Sequence, residues 1–258
     1  MVDALTKAGA TRFREFRMWA VDRSPPDYAD HLPENKMPRG RGLEPAVGFG
    51  STGGGASLIA QLEKWVVEHK GTVLTDHRVA DLIKQGDRVI GVVAETGGKR
   101  LNVHARRGVV FGTGGYSHNK ELVALHQQSL YGSCAMPGST GDFIPIAQKA
   151  GAKIGSLHTA WRSDVVLGEA LESSAVGFGA FVLPGDSMIV VNKYGKRVVN
   201  EKRNYNDRTQ VHFTFDPANT EYPNHLTFMI FDARSLDAFG GAFPIPLDPR
   251  EDRFLIQG

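Results

Sequence analysis

The sequence predicts an α/β protein, and three observations carry that expectation. Residues 57–70 read SLIAQLEKWVVEHK, with Leu58, Leu62, Trp65 and Val66 recurring at helical spacing. Residues 78–84 and 88–94 are two apolar runs flanking Gln85-Gly86-Asp87, a hairpin signal of three turn residues. Residues 108–119 read GVVFGTGGYSHN, a short buried-strand pattern that runs into a glycine turn. Helical and two-residue periods that alternate along one chain are what a sheet packed by helices requires.

The elements follow in order. Residues 1–20 predict an amphipathic helix with Leu5, Phe13, Phe16 and Trp19 near one face, ended by Ser24-Pro25-Pro26-Asp27. Residues 22–56 are loop-rich, with Pro33, Pro38, Pro45 and a dense glycine run from Gly48 to Gly55. The helix over 57–70 takes Ser57 as its N-cap and stops at Gly71. Thr72–Thr75 reads as a strand, the hairpin follows, and residues 100–104 and 107–111 read as further strands. Asn119 to Gln128 predicts a helix. Residues 142–150 predict another, packed through Ile146, Ala147 and Ala150, with Asp142 as its cap and Gly151 closing it. Residues 155–188 are weakly periodic. Met188–Val191 is a strand, Asn192-Lys193-Tyr194-Gly195 a turn and Lys196–Asn200 the return strand. Thr227–Phe231 is a further buried strand. The last residues, Phe243 to Gly258, stop on apolar residues as if in mid-element.

Bulk properties narrow the function. A chain of 258 residues can bury a core in one or two domains. A net charge of +2 gives no nucleic-acid signal, and the pairs Arg39-Gly40-Arg41 and Arg106-Arg107 read as solvated or locally paired. One cysteine, Cys134, excludes an internal disulfide and a cysteine-built metal site. No apolar run approaches the ~18–20 residues of a membrane helix. The N-terminus carries no apolar signal core, so a cytoplasmic enzyme or binding protein is the expectation. The histidines show no metal spacing.

The glycine turn makes the first functional suggestion. Gly112, Thr113, Gly114 and Gly115 strip the backbone of bulk, so main-chain N–H groups can approach a ligand closely. A tight turn between elements would look the same.

Five segments in order make the chain resemble the flavoprotein family of fumarate reductases and 3-ketosteroid dehydrogenases. They are Gly55-Ala56-Ser57-Leu58 with its helix, the strand and hairpin from Thr75 to Val93, and Val109-Val110-Phe111-Gly112-Thr113-Gly114-Gly115-Tyr116. The others are Ser139-Thr140-Gly141-Asp142 followed by Ala150-Gly151-Ala152, and Val191-Asn192-Lys193-Tyr194-Gly195-Lys196-Arg197-Val198-Val199-Asn200-Glu201. The resemblance implies part of a Rossmann-like FAD-binding domain over residues 1–150 and an α+β capping domain over 151–258. It implies FAD as cofactor. Val79 would offer its backbone to the adenine side, Thr113, Gly114 and Gly115 would approach the dinucleotide, and Asp142 would sit by the flavin or ribityl chain. For Val79 a core strand residue and for Asp142 a plain helix cap are the competing roles.

The family begins with a strand and a Gly-x-Gly-x-x-Gly turn that holds the FAD pyrophosphate. Gly48-Phe49-Gly50-Ser51-Thr52-Gly53 fits the spacing, but Arg41-Gly42-Leu43-Glu44-Pro45-Ala46 before it is no apolar strand. The family's closing glycine-rich segment is also absent. The chain is therefore expected to be the middle of a longer flavoprotein, cut at both ends. Such a chain is expected to hold FAD poorly on its own.

The implied chemistry is oxidation or reduction of a carbon–carbon bond conjugated to a carbonyl. Desaturation needs a base for the proton made acidic by the carbonyl, with flavin N5 taking the hydride. Leu157-His158-Thr159-Ala160-Trp161-Arg162 departs from the fumarate reductase His-Pro-Thr segment, and Ala160-Trp161 is closer to the ketosteroid branch. The resemblance puts the base at Tyr205, with Arg203 and Arg208 near enough in sequence to lower its pKa. An ordinary half-buried tyrosine is the alternative. Glu201 and Arg203 are the alternative acid and carboxylate clamp of a fumarate reductase-like enzyme, or a surface pair. A small-molecule substrate, a hydrophobic ketone or a dicarboxylate, follows. Two other readings stand beside it: a non-catalytic fragment that does not retain FAD, and a subunit whose missing FAD half comes from a second chain.

Overall fold

The computed structural model describes residues 1–17, 24, 30–40, 42–48, 54–128, 130–184, 187–241, 244–246 and 254–257. Trp19, Pro25–Asp27 and the stretch Phe49–Gly53, with its glycine spacing, lie outside the described residues. The chain divides into two compact units, Met1–Thr75 and Asp76–Gly258.

In the first unit, helix α1 covers Val2–Lys7, strand β1 Phe13–Glu15, strand β2 Leu43–Pro45 and helix α2 Gly54–Glu68. The expected helix over 1–20 is thus much shorter. Gly9 sits at φ +74°, outside the helical basin, and Phe13 turns into an antiparallel pair with Pro45. Strand pairing overrode the apolar periodicity. Ser57 is not the cap of α2, because the helix begins three residues earlier. Its hydroxyl donates to the Val47 carbonyl at 3.0 Å instead. The Trp65 indole N–H donates to the Ala8 carbonyl at 2.8 Å and fastens α2 to the end of α1. Lys70, at φ +60°, and the Gly71 N–H donating to the Val66 carbonyl at 2.8 Å close α2 where glycine was expected to. Thr72–Thr75 is exposed and forms no strand.

The second unit opens with an antiparallel meander of β3 (Arg78–Gln85), β4 (Arg88–Thr96) and β5 (Lys99–His104). Gln85 pairs with Arg88, so only Gly86 and Asp87 form the turn, with Gly86 at φ +59°. A Cβ on Gly91 would lie 2.3 Å from the Val103 carbonyl oxygen, which explains glycine in the middle of β4. Helix α3 (Lys120–His126) is capped by Asn119, whose side chain accepts the Leu122 N–H. Helix α4 (Phe143–Lys149) buries Ile144, Ile146 and Ala147. It is tied to β3 by Lys149 with Asp81 at 3.2 Å and Arg78 with Asp142 at 2.8 Å.

The expected strand at 107–111 is not formed. Val110 is 94% exposed, and no described strand pairs with this run. An apolar run becomes a strand only where a neighbour takes its backbone hydrogen bonds.

The rest of this unit is a four-stranded antiparallel sheet in the order β6-β9-β8-β7, from β6 (Asp164–Val166), β7 (Met188–Val191), β8 (Leu226–Phe231) and β9 (Phe254–Gln257). Around it stand α5 (Leu167–Glu172), α6 (Tyr205–Arg208), a 3-10 turn over Thr209–Phe213, and α7 (Ala233–Phe239). Met188, Val190 and Met229 face the core with Val166, Ala180, Leu183 and Ile245, while Ile189 and Ile230 point outward. The return strand expected over 196–200 is reduced to one bridge, Val191 with Arg197. The chain end expected to stop in mid-element is β9, seated between β6 and β8.

Candidate active site

The glycine turn is the first part of the site. Gly112 to Gly115 are exposed, and Gly114 takes φ +74°. Among the described residues, the N–H groups of Gly112, Thr113, Gly114 and Gly115 donate to no protein acceptor. Successive open amides on a backbone without bulk suit an anionic or carbonyl-rich group. The turn is held from behind. The Gly141 N–H donates to the Gly115 carbonyl at 3.0 Å. A Cβ on Gly141 would lie 2.7 Å from Tyr116 Cβ, so the two turns fit only with glycine there.

Asp142 follows Gly141 at the start of α4 but does not cap it, since its side chain accepts no hydrogen bond from the helix backbone. It is taken up instead by Arg78 Nε at 2.8 Å and Thr140 Oγ1 at 2.9 Å. The Arg78 hydrogen bond, then Thr140, holds the Asp142 carboxyl below its ordinary pKa. Val79, next to Arg78, is half-buried and pairs with Ala94. Arg78 therefore draws Val79 and Asp142 together, and Gly141 links them to the Gly115 turn.

A cavity of about 510 Å³ opens beside the turn, and Gly115 and Tyr205 both line it. Apolar wall is given by Leu130, Ala160, Trp161 and Phe181, and polar wall by Tyr116, Ser117, Gln127 and Arg162. Tyr205 begins α6, where Asn204 caps by accepting the Asn206 N–H. Its ring meets Phe181 edge-on with centroids 5.0 Å apart. Its hydroxyl makes no hydrogen bond to a described residue. Burial pushes the phenol pKa above its ordinary value.

The expected cations do not lower that pKa. Arg203 pairs with Asp207 at 3.3 Å. Arg208 is buried and reaches Asp164 at 3.5 Å, the Glu201 carbonyl at 3.2 Å and the Ala180 carbonyl. His212 Nε2 meets the other Asp164 oxygen at 2.8 Å. Asp164 thus ties β6 to α6 and the 3-10 turn, and Asn206 accepts the Arg162 N–H at 2.9 Å. These bonds fix where Tyr205 stands. Glu201 is 3% exposed and outside the cavity wall. Burial works to raise its carboxyl pKa, yet the Arg197 guanidinium and the Val190 N–H together take it below the ordinary value.

Sequence reasoning missed a polar chain in the wall. Tyr116 Oη donates to the Leu157 carbonyl and accepts from Gln127 Nε2 at 2.5 Å. Gln127 Oε1 accepts from Arg162 Nη2. The Arg162 guanidinium also lies 4.7 Å from the centre of the Phe213 ring. Nothing in the spacing of these residues announces their meeting. Cys134 also lines the cavity, with its thiol pKa pushed up by burial first and Glu169 second, so it is a neutral wall residue.

Comparison with known proteins gives the family. A family model described as FAD binding domain matches residues 1–239. A 4-oxocyclohexanecarboxylate 2-dehydrogenase of Sinomonas cyclohexanicum is 30% identical over 214 residues, 79% of this chain and 36% of that protein. An NADH:acrylate oxidoreductase of Vibrio harveyi is 30% identical over 155 residues, 57% of this chain and 15% of that protein. The solved 3-ketosteroid delta1-dehydrogenase of Sterolibacterium denitrificans shares the fold with a TM-score of 0.71 at 23% identity, over 97% of this chain and 56% of that one. The chain spans about a third of the first curated relative's length. The chain belongs to the FAD-binding domain family, the flavoproteins of the 3-ketosteroid dehydrogenases and fumarate reductases.

Proposed function

We propose that this chain belongs to an FAD-dependent oxidoreductase acting on a carbon–carbon bond conjugated to a carbonyl, in the manner of a 3-ketosteroid dehydrogenase. The observation that carries the proposal is the cavity that Gly115 and Tyr205 both line, with the Tyr205 hydroxyl making no hydrogen bond to a described residue.

FAD, when bound, supplies the hydride acceptor. The amides of Thr113, Gly114 and Gly115 would hold it, with Asp142 accepting from a ribityl or ring donor and the Val79 backbone beside them. Tyr205 Oη, in its deprotonated form, takes the proton from the carbon next to the substrate carbonyl. Leu130 and Phe181 give that carbon an apolar side. We assign Glu201 and Arg203 to positioning: Glu201 fixes the strand-to-α6 connection through Arg197 and Val190, and Arg203 stiffens α6 through Asp207.

One observation favours the reverse direction as a second reading. A phenol whose pKa is raised by burial keeps its proton near neutral pH, which suits donation to a carbon–carbon double bond conjugated to a carboxylate. Tyr205 would then be the acid of a fumarate reductase-like reaction.

Residues 1–150 would form the FAD-binding part and 151–258 the capping part, with a second chain as one source of further FAD contacts. Among the described residues no helix is long and apolar enough to cross a membrane. A cytoplasmic location is proposed with it. The test is to titrate the purified chain with FAD, then assay desaturation of a 3-ketosteroid and reduction of fumarate with the wild type and Tyr205→Phe. Loss of turnover in Tyr205→Phe with FAD retained supports the reading, and the assay that responds fixes the direction. A colourless protein unmoved by FAD supports a non-catalytic fragment instead.

A further inference from the structure

A large apolar side chain stands in water at the rim of the cavity. Trp161 lines the cavity and is 87% exposed. Its position follows from the path of the chain. Residues 158–161 are exposed, and residues 162–166 are buried as the chain enters β6. Trp161 is the last exposed residue before that buried stretch, and the backbone is held on both sides of it. On one side Arg162 donates its N–H to Asn206 Oδ1 at 2.9 Å, and its carbonyl accepts from Thr209 Oγ1 at 3.4 Å. On the other the Thr159 N–H donates to the Ser156 carbonyl at 3.0 Å. The indole can therefore turn about its own side-chain torsions while its backbone stays at the rim.

An apolar residue exposed singly on a surface needs no explanation. Trp161 differs because the surface next to it is a concave apolar wall that includes Leu130, Ala160 and Phe181. A tryptophan covers a large area and loses little conformational freedom when it stacks. At a pocket mouth it is a ready contact for a flat apolar ring.

We propose that Trp161 is a specificity-determining residue of this cavity, laying its indole face on the ring system of a flat cyclic ketone and favouring it over an open-chain one. The inference rests on the reading of the cavity as the substrate site. Leu130, Ala160 and Phe181 would take the remaining apolar surface of the ring. An open chain presents no flat face to the indole and loses more freedom on binding, so it gains less from Trp161.

The experiment uses the full chain, with androstenedione as the flat probe and pseudoionone as the open-chain one. Bound androstenedione is expected to shield the indole, so iodide quenches the wild-type emission less, with no such change in Trp161→Phe. That variant reports the background of Trp19 and Trp65. In equilibrium dialysis Trp161→Ala should lower androstenedione affinity about tenfold and pseudoionone affinity by no more than about twofold. Trp161→Phe keeps an aromatic face and should recover much of the loss. An indole equally open to iodide in the bound chain, an equal loss for both ketones, or a Trp161→Phe that falls as far as Trp161→Ala overturns the proposal. The side chain is exposed, so Trp161→Ala should melt with the wild type. If it does not, wild-type shielding and Trp161→Phe decide. No binding of androstenedione to the wild type overturns the proposal together with the reading of the cavity. Binding with an unshielded indole overturns it alone, and Tyr205→Phe tests the proton transfer separately.

Discussion

Gly141 donates its N–H to the carbonyl of Gly115 at 3.0 Å. That one bond locks the turn proposed to hold the dinucleotide to the start of α4, where Asp142 meets Arg78. Gly141 takes φ +73°, and an added Cβ would press on Tyr116 and on Leu122 at 2.8 Å. Gly141→Ala should therefore cost about 2 kcal/mol or more, from both backbone strain and crowding. Urea unfolding of the variant against the wild type measures it. Thr113→Ala, on the exposed face of the same turn, should leave unfolding nearly unchanged.

Asp164→Asn should be among the most damaging single changes in the second unit. It removes the carboxylate that meets both Arg208 and His212 in a buried setting and leaves the Arg208 cation uncompensated. Breaking a buried pair in this way costs about 3–5 kcal/mol. Thermal melts should show a large drop. A melt within a degree of the wild type would mean that water or another group already satisfies Arg208.

Much of the meander was legible because two-residue alternation and Gly86 act locally. The helix expected over Asn119 to Gln128 is α3, Lys120–His126, and the structure adds Asn119 as its cap. The strand expected at 107–111 depends on a partner elsewhere, and sequence alone shows the apolar run without the partner. β6 and β9 were hidden for the converse reason. Asp164–Val166 is too short to show a period, and Phe254–Gln257 is read as strand only once β8 is beside it. In the candidate site, Gly115 and Tyr205 were named from the family pattern, and both line one cavity. Arg162 and Gln127 were not found, since their meeting across 35 positions leaves no periodic trace.

Glu201 gives a pH prediction. Its pKa in the folded chain is depressed below the unfolded value, so it binds its proton less readily when folded. It therefore contributes stability above the unfolded carboxyl pKa of about 4.3, and that stability is lost as pH falls through the folded value. Wild-type melts should decline below about pH 4.5 more steeply than those of Glu201→Gln. Parallel declines would mean that Arg197 and Val190 do not stabilise the charged form.

Tyr205 gives a second one. Its pKa is raised, so a phenol acting as base works only in its deprotonated fraction. Desaturation should keep rising with pH up to about 10, the ordinary phenol value, without a plateau at neutrality. A reduction that uses the phenol as acid should instead hold steady and fall only above that pH. A rate that levels off near pH 7 would assign the proton transfer to another group.

The most direct test of the shared site is a single turnover. The FAD-loaded chain is mixed anaerobically with a 3-ketosteroid, and the flavin absorbance band is followed for the wild type and Tyr205→Phe. Bleaching in the wild type, slowed by roughly 10²–10⁴-fold in the variant, is the expected result for a positioned acid–base group. Equal bleaching rates, or a flavin that the substrate does not reduce although it binds, would contradict a site in which Tyr205 and the glycine turn act on one substrate.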